Sequence, residues 1–256
     1  MGGVDPQVAI LWFLRVNLSL QGQVLAADAC AGEALAIAEQ RQNPNSRVLA
    51  LAETAAMANL KGDWRNAITC CARALELAER YGMKVFGSWT KSAFGRALLA
   101  TGQVEEGVQL LREGYLAWTA LAGIASTAYA ADAADALLDA GRSDEAIEFM
   151  RSGEKIQHET GEVYQAALFL LVRGRLAQLD GDAAAAEASY RRAVETAQQQ
   201  GALLYALRAA TALAQLCQSQ GRAEETDAML QSIYKKFTDG FDYPALIRAR
   251  TVLHDV

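Results

Sequence analysis

The chain has 256 residues, of which 52% are hydrophobic and 21% charged, and its 30 acidic and 24 basic side chains give a net charge of −6. This composition excludes a disordered chain, and the acidic balance argues against a nucleic-acid-binding surface, which needs an excess of Lys and Arg. Only three prolines occur among abundant Ala, Leu, Glu, Gln and Arg, which predicts an all-α protein. No apolar run reaches the roughly 18 residues of a membrane-spanning helix, so we expect a cytoplasmic protein with no membrane contact.

Glycines divide the chain at regular intervals. Six of them, which we call the turn glycines, recur with a nearly constant spacing: Gly22, Gly62, Gly102, Gly141, Gly181 and Gly221. A second set lies between them: Gly82, Gly123, Gly161 and Gly201. Segments of about 18 residues with helical periodicity separate the two sets, and glycine readily ends a helix in the left-handed conformation. The spacing therefore predicts a solenoid of helix–turn–helix repeats.

Small residues recur at fixed distances from the turn glycines, as close helix packing requires. The positions seven before, five after and twelve after each turn glycine carry only Ala or Gly in the four inner repeats. The exceptions are Arg15, Thr226 and Ile233, which belong to the first and last repeats. Packing rules relax at the ends of a solenoid, so this pattern supports the repeat assignment independently of the turns.

The segments "KGDWRNAI" (61–68) and "RALELAE" (73–79), together with these small residues, resemble the tetratricopeptide (TPR) repeat. The period of about 40 is similar to that of TPR-like arrays in signal-transduction ATPases. The resemblance implies a right-handed α–α superhelix forming one domain over 5–256. We expect its six repeats near 5–41, 45–82, 84–123, 125–161, 162–201 and 202–237, followed by a capping helix at 242–254.

Three longer segments carry a narrower resemblance. They are "GQVEEGVQLLREGYLAW" (102–118), "SYRRAVETAQQQGALLYALRAATALAQL" (189–216) and "YKKFTDGFDYPALIRARTVL" (234–253). They resemble the C-terminal TPR-like region of bacterial proteins in which a class III adenylyl or guanylyl cyclase domain precedes a predicted ATPase. Where that family commonly has "YEAELHRLRG", this chain has "QAALFLLVRG" (165–174), so polar positions become Ala166, Leu168 and Leu170.

Motifs for catalysis and metal binding are missing from the sequence. There is no GxxxxGK[ST] phosphate loop, no HExxH and no GxSxG, and no aspartate pair has the context of a cyclase metal site. Two of the four cysteines, Cys70 and Cys71, are adjacent and do not form the CxxC pairs of a zinc site. We therefore expect no catalysis by this chain, no cofactor and no metal.

The first helix of each repeat is expected to line the concave side of the superhelix. Aligning the repeats on their turn glycines predicts these groove-facing side chains: Glu53, Trp89, Arg96, Asp132, Asp135, Asp139, Arg175, Gln178, Arg208 and Gln215. The three aspartates lie at i, i+3 and i+7, on one helix face, with arginines of neighbouring repeats on either side. One interpretation is a peptide groove whose arginines bind carboxylates or carbonyls and whose aspartates bind a basic side chain. The alternative is that adjacent repeats neutralise one another through exposed ion pairs worth ~0–1 kcal/mol each.

These patterns favour a non-catalytic interaction or regulatory module, either the C-terminal sensor or scaffold of a cyclase–ATPase protein or a free-standing relative. Its partner would be a peptide or a protein, including domains of the same signalling protein. The alternative function is self-association as a homodimer. The apolar residues considered for that contact are Leu168, Leu170 and Leu171, or the terminal helix with Tyr243, Leu246 and Leu253.

Overall fold

A computed structural model describes residues 3–254, and over this range the chain forms thirteen α-helices and no β-strand. The last two residues of the predicted domain, 255–256, lie outside the described residues. The helices are α1 (Pro6–Leu20), α2 (Val24–Arg41), α3 (Pro44–Lys61), α4 (Trp64–Arg80), α5 (Lys84–Ala100), α6 (Val104–Leu121), α7 (Ser126–Asp139), α8 (Ser143–Thr160), α9 (Ala166–Leu179), α10 (Ala183–Gln199), α11 (Leu203–Ser219), α12 (Glu224–Tyr234) and α13 (Pro244–His254).

The helices are arranged in two layers. The first helices of the repeats, α1, α3, α5, α7, α9 and α11, each contact the next first helix and form the inner layer. The second helices form the outer layer, and each packs on its own first helix and on the helix that follows it. The result is the predicted all-α solenoid of six helix–turn–helix repeats with a thirteenth helix at its end.

The predicted helix-ending glycines all adopt positive φ, between 66° and 84°. Gly62, with φ of 74°, shows the hydrogen bonding. Its N–H donates to the carbonyl of Asn59 (3.2 Å), and the next N–H, of Asp63, donates to the carbonyl of Ala58 (2.8 Å). A residue with a Cβ is strained in this conformation, which is why the repeat period is visible as a glycine period.

Two of the polar residues that follow turn glycines cap the next helix, and a third does not. The carboxylates of Asp63 and Asp182 accept the N–H groups of Asn66 (3.2 Å) and Ala185 (2.9 Å) at the starts of α4 and α10. Ser143 does not cap α8, because it is the first helical residue and Arg142 occupies the capping position. The fourth repeat has Gly-Arg-Ser where these two repeats have Gly-Asp, so its serine comes one residue too late.

Close helix packing depends on the small residues, as the sequence predicts. A Cβ added at Gly95 of α5 would lie 2.8 Å from the carbonyl oxygen of Gly107 in α6, and one added at Gly107 would lie 2.9 Å from that of Gly95. The three terminal exceptions, Arg15, Thr226 and Ile233, are nevertheless buried. The two ends of the array are therefore packed rather than open at these positions.

The predicted apolar self-association patches are mostly covered: Leu170 and Leu253 are partly buried, and the other four residues are buried. Leu168 and Leu246 have no exposed area, Leu171 is 2% exposed and Tyr243 is 5% exposed. These residues belong to the main core, because α9 is covered by α8 and α10, and α13 packs on α11 and α12. Leu168, Leu171, Tyr243 and Leu246 are therefore not available for the predicted contact between copies, since an apolar run in one helix does not reveal which neighbours cover it.

The first and last repeats are in contact, so the solenoid closes on itself. Helix α1 contacts α11, and the ring of Phe237 lies against Gly22. Asp239 Oδ1 accepts the N–H groups of Val24 (3.1 Å) and Leu25 (3.3 Å) at the start of α2. Helix α2 has no side-chain cap from its own N-cap residue and no acidic residue in its first turn. The segment between α12 and α13 therefore caps a helix that belongs to the first repeat.

Removing this cap is expected to destabilise the fold. Asp239→Ala should lower the free energy of unfolding by about 1 kcal/mol, because it leaves two N–H groups of α2 without their acceptor. Asp242→Ala, an exposed aspartate of the same segment, is the control and should change stability by less than about 0.5 kcal/mol. Urea denaturation followed by circular dichroism measures both, and equal effects would contradict a role for the cap.

Candidate functional site

The structure brings six of the ten predicted groove residues together on the inner layer. We call them the Asp135 cluster: Arg96 of α5, Asp132, Asp135 and Asp139 of α7, Arg175 of α9 and Arg208 of α11. Four consecutive inner helices thus contribute to one site. The nearly constant repeat period places these side chains at similar heights, and the curvature of the array brings them within hydrogen-bonding distance.

Asp135 lies at the centre of the cluster and has no exposed side-chain area. Arg96 Nη2 donates to its Oδ2 (2.8 Å), and Arg175 Nη1 donates to its Oδ1 (2.6 Å). Arg208 Nη2 donates to both oxygens, at 2.9 and 2.7 Å. One buried carboxylate therefore accepts hydrogen bonds from three guanidinium groups.

Two of these arginines also bind the other two aspartates of the cluster, Asp132 and Asp139. Arg96 Nη1 donates to Asp132 Oδ1 (3.2 Å), and Arg175 Nη2 donates to Asp139 Oδ1 (2.7 Å). The side chains of Asp132 and Asp139 remain 43% and 50% exposed. The cluster contains three positive and three negative groups and is formally neutral.

The charges around Asp135 keep it, Arg96 and Arg175 ionised at neutral pH. Burial by itself would raise the pKa of Asp135, but Arg208, Arg96 and Arg175 outweigh it and hold that pKa well below its usual range. Burial would lower the pKa of Arg96 and Arg175, and the aspartates outweigh it and raise both. Asp135 is thus saturated by arginines and offers nothing to a basic ligand.

This arrangement corrects the sequence-based interpretation of Asp135 as an accessible groove residue. Adjacent repeats do neutralise one another, as the alternative interpretation expects, but the central pairs are buried rather than exposed. Arg208 is 73 residues from Asp135 in sequence and two repeats away. It reaches Asp135 because the superhelix curves tightly enough for α11 to approach α7.

A second buried pair involves Glu53, which is 1% exposed. Arg15 Nη2 donates to Glu53 Oε2, and Trp89 Nε1 donates to Glu53 Oε1 (3.1 Å). Burial lowers the pKa of Arg15 to about 10, so it remains protonated at neutral pH. Glu53 therefore links α1, α3 and α5 through Arg15 and Trp89, and it is not accessible to a ligand. In the sequence, Arg15 stands out because it is the one large residue among the six that lie seven positions before a turn glycine.

Four of the predicted residues remain available at the surface, and we call them the accessible groove residues: Asp132, Asp139, Gln178 and Gln215. They lie on α7, α9 and α11. Gln178 is positioned by the hydroxyl of Tyr190, which donates to its Oε1 (2.8 Å). On the inner layer, Asp135 is thus buried among arginines, whereas the four accessible groove residues remain exposed to solvent.

Within residues 3–254, no three His, Cys, Asp or Glu side chains are placed to hold a metal ion together. The same part of the chain contains no helix with the length and apolar character needed to cross a membrane. The four cysteines are buried free thiols.

Neither protein-family models nor curated proteins match this chain. Several solved structures, in contrast, match this chain. The apo form of RapI is 12% identical, with a TM-score of 0.64 over 98% of this chain and 86% of that one. A Rap protein complexed with competence and sporulation factor is 13% identical, with a TM-score of 0.67 over 97% and 74%. The TPR-like repeats of a putative kinesin light chain from Podosopora anserina are 20% identical, with a TM-score of 0.52 over 76% and 96%. At these identities the likeness establishes the fold alone, and that fold is the TPR-like solenoid.

Proposed function

We propose that the chain is a non-catalytic protein-interaction module that binds a peptide or protein segment along its concave face. The observation that carries this proposal is the position of the four accessible groove residues on three successive inner helices. The carboxylates of Asp132 and Asp139 suit a basic side chain or backbone N–H groups, and the amides of Gln178 and Gln215 suit an extended backbone.

The Asp135 cluster supports this proposal by fixing the geometry of the binding groups. Asp132 and Asp139 are each tied through one oxygen to an arginine that is itself held by the buried Asp135. A partner would meet carboxylates that are already ordered, so little side-chain entropy would be lost on binding. Asp135 (−1) and the three arginines (+3) together carry a net charge of +2, which the two exposed aspartates balance, so the negative charge that faces a partner comes from Asp132 and Asp139.

The fold comparison gives further support. One structure with the same fold is a Rap protein in complex with competence and sporulation factor, so this architecture binds a partner in at least one structural neighbour. Solenoids suit such a role because their inner layer is long and their repeats present side chains in register.

We further propose a cytoplasmic signalling context, as the C-terminal sensor or scaffold of a cyclase–ATPase protein or as a free-standing relative. The support is the sequence resemblance of 102–118, 189–216 and 234–253. This context is tested by sequencing the gene that encodes this chain together with the genes on either side of it. A cyclase or ATPase reading frame fused or adjacent to this one is expected, and the absence of both would remove the context while leaving the interaction proposal intact.

A binding experiment with matched variants tests the groove. A displayed library of short random peptides is selected on the wild-type chain, and the affinity of the selected peptides is measured by fluorescence anisotropy. The double variant Asp132→Asn, Asp139→Asn should weaken binding about tenfold or more, because charge-assisted hydrogen bonds are lost.

The control is the double variant Glu105→Gln, Glu148→Gln on the outer helices. These glutamates are 85% and 62% exposed, and each makes an ion pair with an arginine of another helix or its cap, Arg142 or Arg112. The control also removes two negative charges, but from the outer helices, and should leave the affinity for the selected peptides unchanged. Equal losses in the two variants, or a library that yields no binder, would overturn the groove proposal.

A further inference from the structure

The fourth and fifth repeats differ from their neighbours at the start of their inner helices. Helices α7 and α9 begin 15 residues before their turn glycines, Gly141 and Gly181, whereas α3, α5 and α11 begin 18 residues before theirs. About one helical turn is therefore missing from each of two adjacent inner helices, at the end opposite the turn glycines. Loops formed by residues 122–125 and 161–165 take its place.

Both loops end in a residue with an unusual backbone conformation. Ala125 and Gln165, each directly before its helix, have φ of 52° and 55°, which costs a residue with a Cβ about 1–3 kcal/mol. Side chains hold both loops in place: Trp118 Nε1 donates to the carbonyl of Ile124 (2.7 Å), and the hydroxyl of Tyr205 donates to Gln165 Oε1 (3.0 Å). Strained segments that the surrounding structure fixes cluster at binding sites.

These two loops expose large apolar side chains. Ile124, Val163 and Tyr164, which we call the apolar lip, are 69%, 63% and 47% exposed. The residue before the N-cap is Ile124 or Tyr164 here, whereas the other loops between repeats have Gln42, Gly82 and Gly201. An apolar residue at this position ordinarily packs on the fourth residue of its helix. Those residues, Tyr129 and Phe169, are already buried, so helix capping does not explain the apolar lip.

The apolar lip lies at one end of the groove, close to Asp132. Because α7 and α9 pack on each other, their loops are separated by about one interhelical distance, about 10 Å. Tyr205 connects the apolar lip with Asp132. Burial raises the pKa of Tyr205, and the nearby charges of Asp132 and Tyr164 raise it further, which places both groups near its hydroxyl. An exposed carboxylate and an exposed apolar surface are thus neighbours.

The charge around the apolar lip is negative. Segments 114–131 and 156–172 contain two glutamates and neither Lys nor Arg. The arginines of the inner layer, such as Arg15 and Arg96, are paired with buried carboxylates. Asp132 is 43% exposed and adds a further negative charge. A positively charged partner is therefore complementary to this end of the groove, and an acidic one is repelled.

We propose that the partner is a peptide segment with a large apolar side chain close to a Lys or Arg. The apolar lip binds the apolar side chain, and Asp132 binds the basic one. Asp132 lies about 10 Å along α7 from Ala125, a distance that about three residues of extended chain span. The two side chains of the partner should therefore be two to four residues apart. This inference rests on the proposed function and adds the chemical class of the partner.

Peptides selected from the displayed library on the wild-type chain test this inference. They should share a Lys or Arg two to four residues from a large apolar residue, and replacing that apolar residue by Ala should weaken binding about tenfold or more. The double variant Ile124→Ser, Val163→Ser should weaken binding of the unaltered peptide by a similar factor. It should then be insensitive to the Ala replacement, because the two changes remove the same contact. Circular dichroism verifies that the variant folds.

The control is the double variant Leu25→Ser, Leu116→Ser, at residues of the outer helices that are 56% and 68% exposed, and it should bind like the wild type. Selected peptides without the shared pattern, or unchanged affinity in Ile124→Ser, Val163→Ser, would overturn this inference alone. The weakening by Asp132→Asn, Asp139→Asn would then still support the groove. Peptides that this aspartate variant binds normally would overturn the proposed function and this inference with it. A control that weakens binding equally would show non-specific apolar association and also overturn the inference.

Discussion

Asp135→Asn is expected to lower the free energy of unfolding by about 3–5 kcal/mol, although it changes the volume of the side chain very little. The substitution leaves three inward-facing guanidinium groups around a neutral amide, and an uncompensated buried charge is strongly destabilising. Asp139→Asn is the matched control, because its carboxylate is half exposed and has one arginine partner. It should lower stability by less than about 1 kcal/mol. Urea denaturation measures both, and comparable effects would contradict the central role of Asp135.

The difference in unfolding free energy between the wild type and Asp135→Asn should also depend on pH. The folded pKa of Asp135 lies below the value of about 3.9 for an unfolded aspartate. Its ionised form therefore contributes stability that is fully present above about pH 4 and is lost as the pH falls below it. The stability difference between the wild type and Asp135→Asn should narrow in acid. A difference that stays constant down to about pH 3 would show that the carboxylate charge is not the cause.

Adding one methyl group should change stability in opposite directions at two glycines. Gly95→Ala places a Cβ 2.8 Å from the carbonyl oxygen of Gly107 and 2.8 Å from Leu111 Cγ, so α5 and α6 must separate. Overpacking of this kind destabilises by about 1–3 kcal/mol, and the gain in helix propensity of about 1 kcal/mol offsets only part of it.

Gly32 provides the opposite case. It lies within α2, is exposed, and has nothing within 4 Å of an added Cβ. Gly32→Ala should therefore raise stability by about 0.5–1 kcal/mol through helix propensity. Thermal and urea denaturation of both variants give the signs, and a stabilised Gly95→Ala variant would show that the close approach of α5 and α6 is not needed.

The repeat architecture could be predicted from the sequence because its determinants are local. Each helix end that a glycine forms depends on the φ angle of that one residue. Each close helix contact depends on whether the residue at a position such as Gly95 or Ala134 is small. These requirements recur in every repeat, so six weak signals reinforce one another. Aligning the repeats on their turn glycines also identified the charged residues of the inner layer correctly as neighbours, with Arg96 and Arg175 on either side of α7.

What the sequence could not supply is the curvature of the superhelix. Whether Arg208 reaches Asp135 depends on the rotation accumulated over two repeats, and no local pattern encodes that angle. The pairing of Arg15 with Glu53 and the burial of Leu168 and Leu246 also depend on how neighbouring repeats are placed. The sequence therefore overestimates the exposure of the acidic residues at the centre of the groove and does not reveal that Ile10, Phe13 and Leu14 of α1 are exposed.

The contact between the first and last repeats also affects how the protein unfolds. In an open solenoid each repeat touches its neighbours alone, and the ends fray first. Here the cap that Asp239 places on α2 joins residues 215 positions apart, and α1 packs on α11. Neither terminal repeat can detach without breaking its contacts with the other, which couples the two ends in a single cooperative transition. Such long-range contacts also raise the contact order, so folding should be slower than in an open array of equal length.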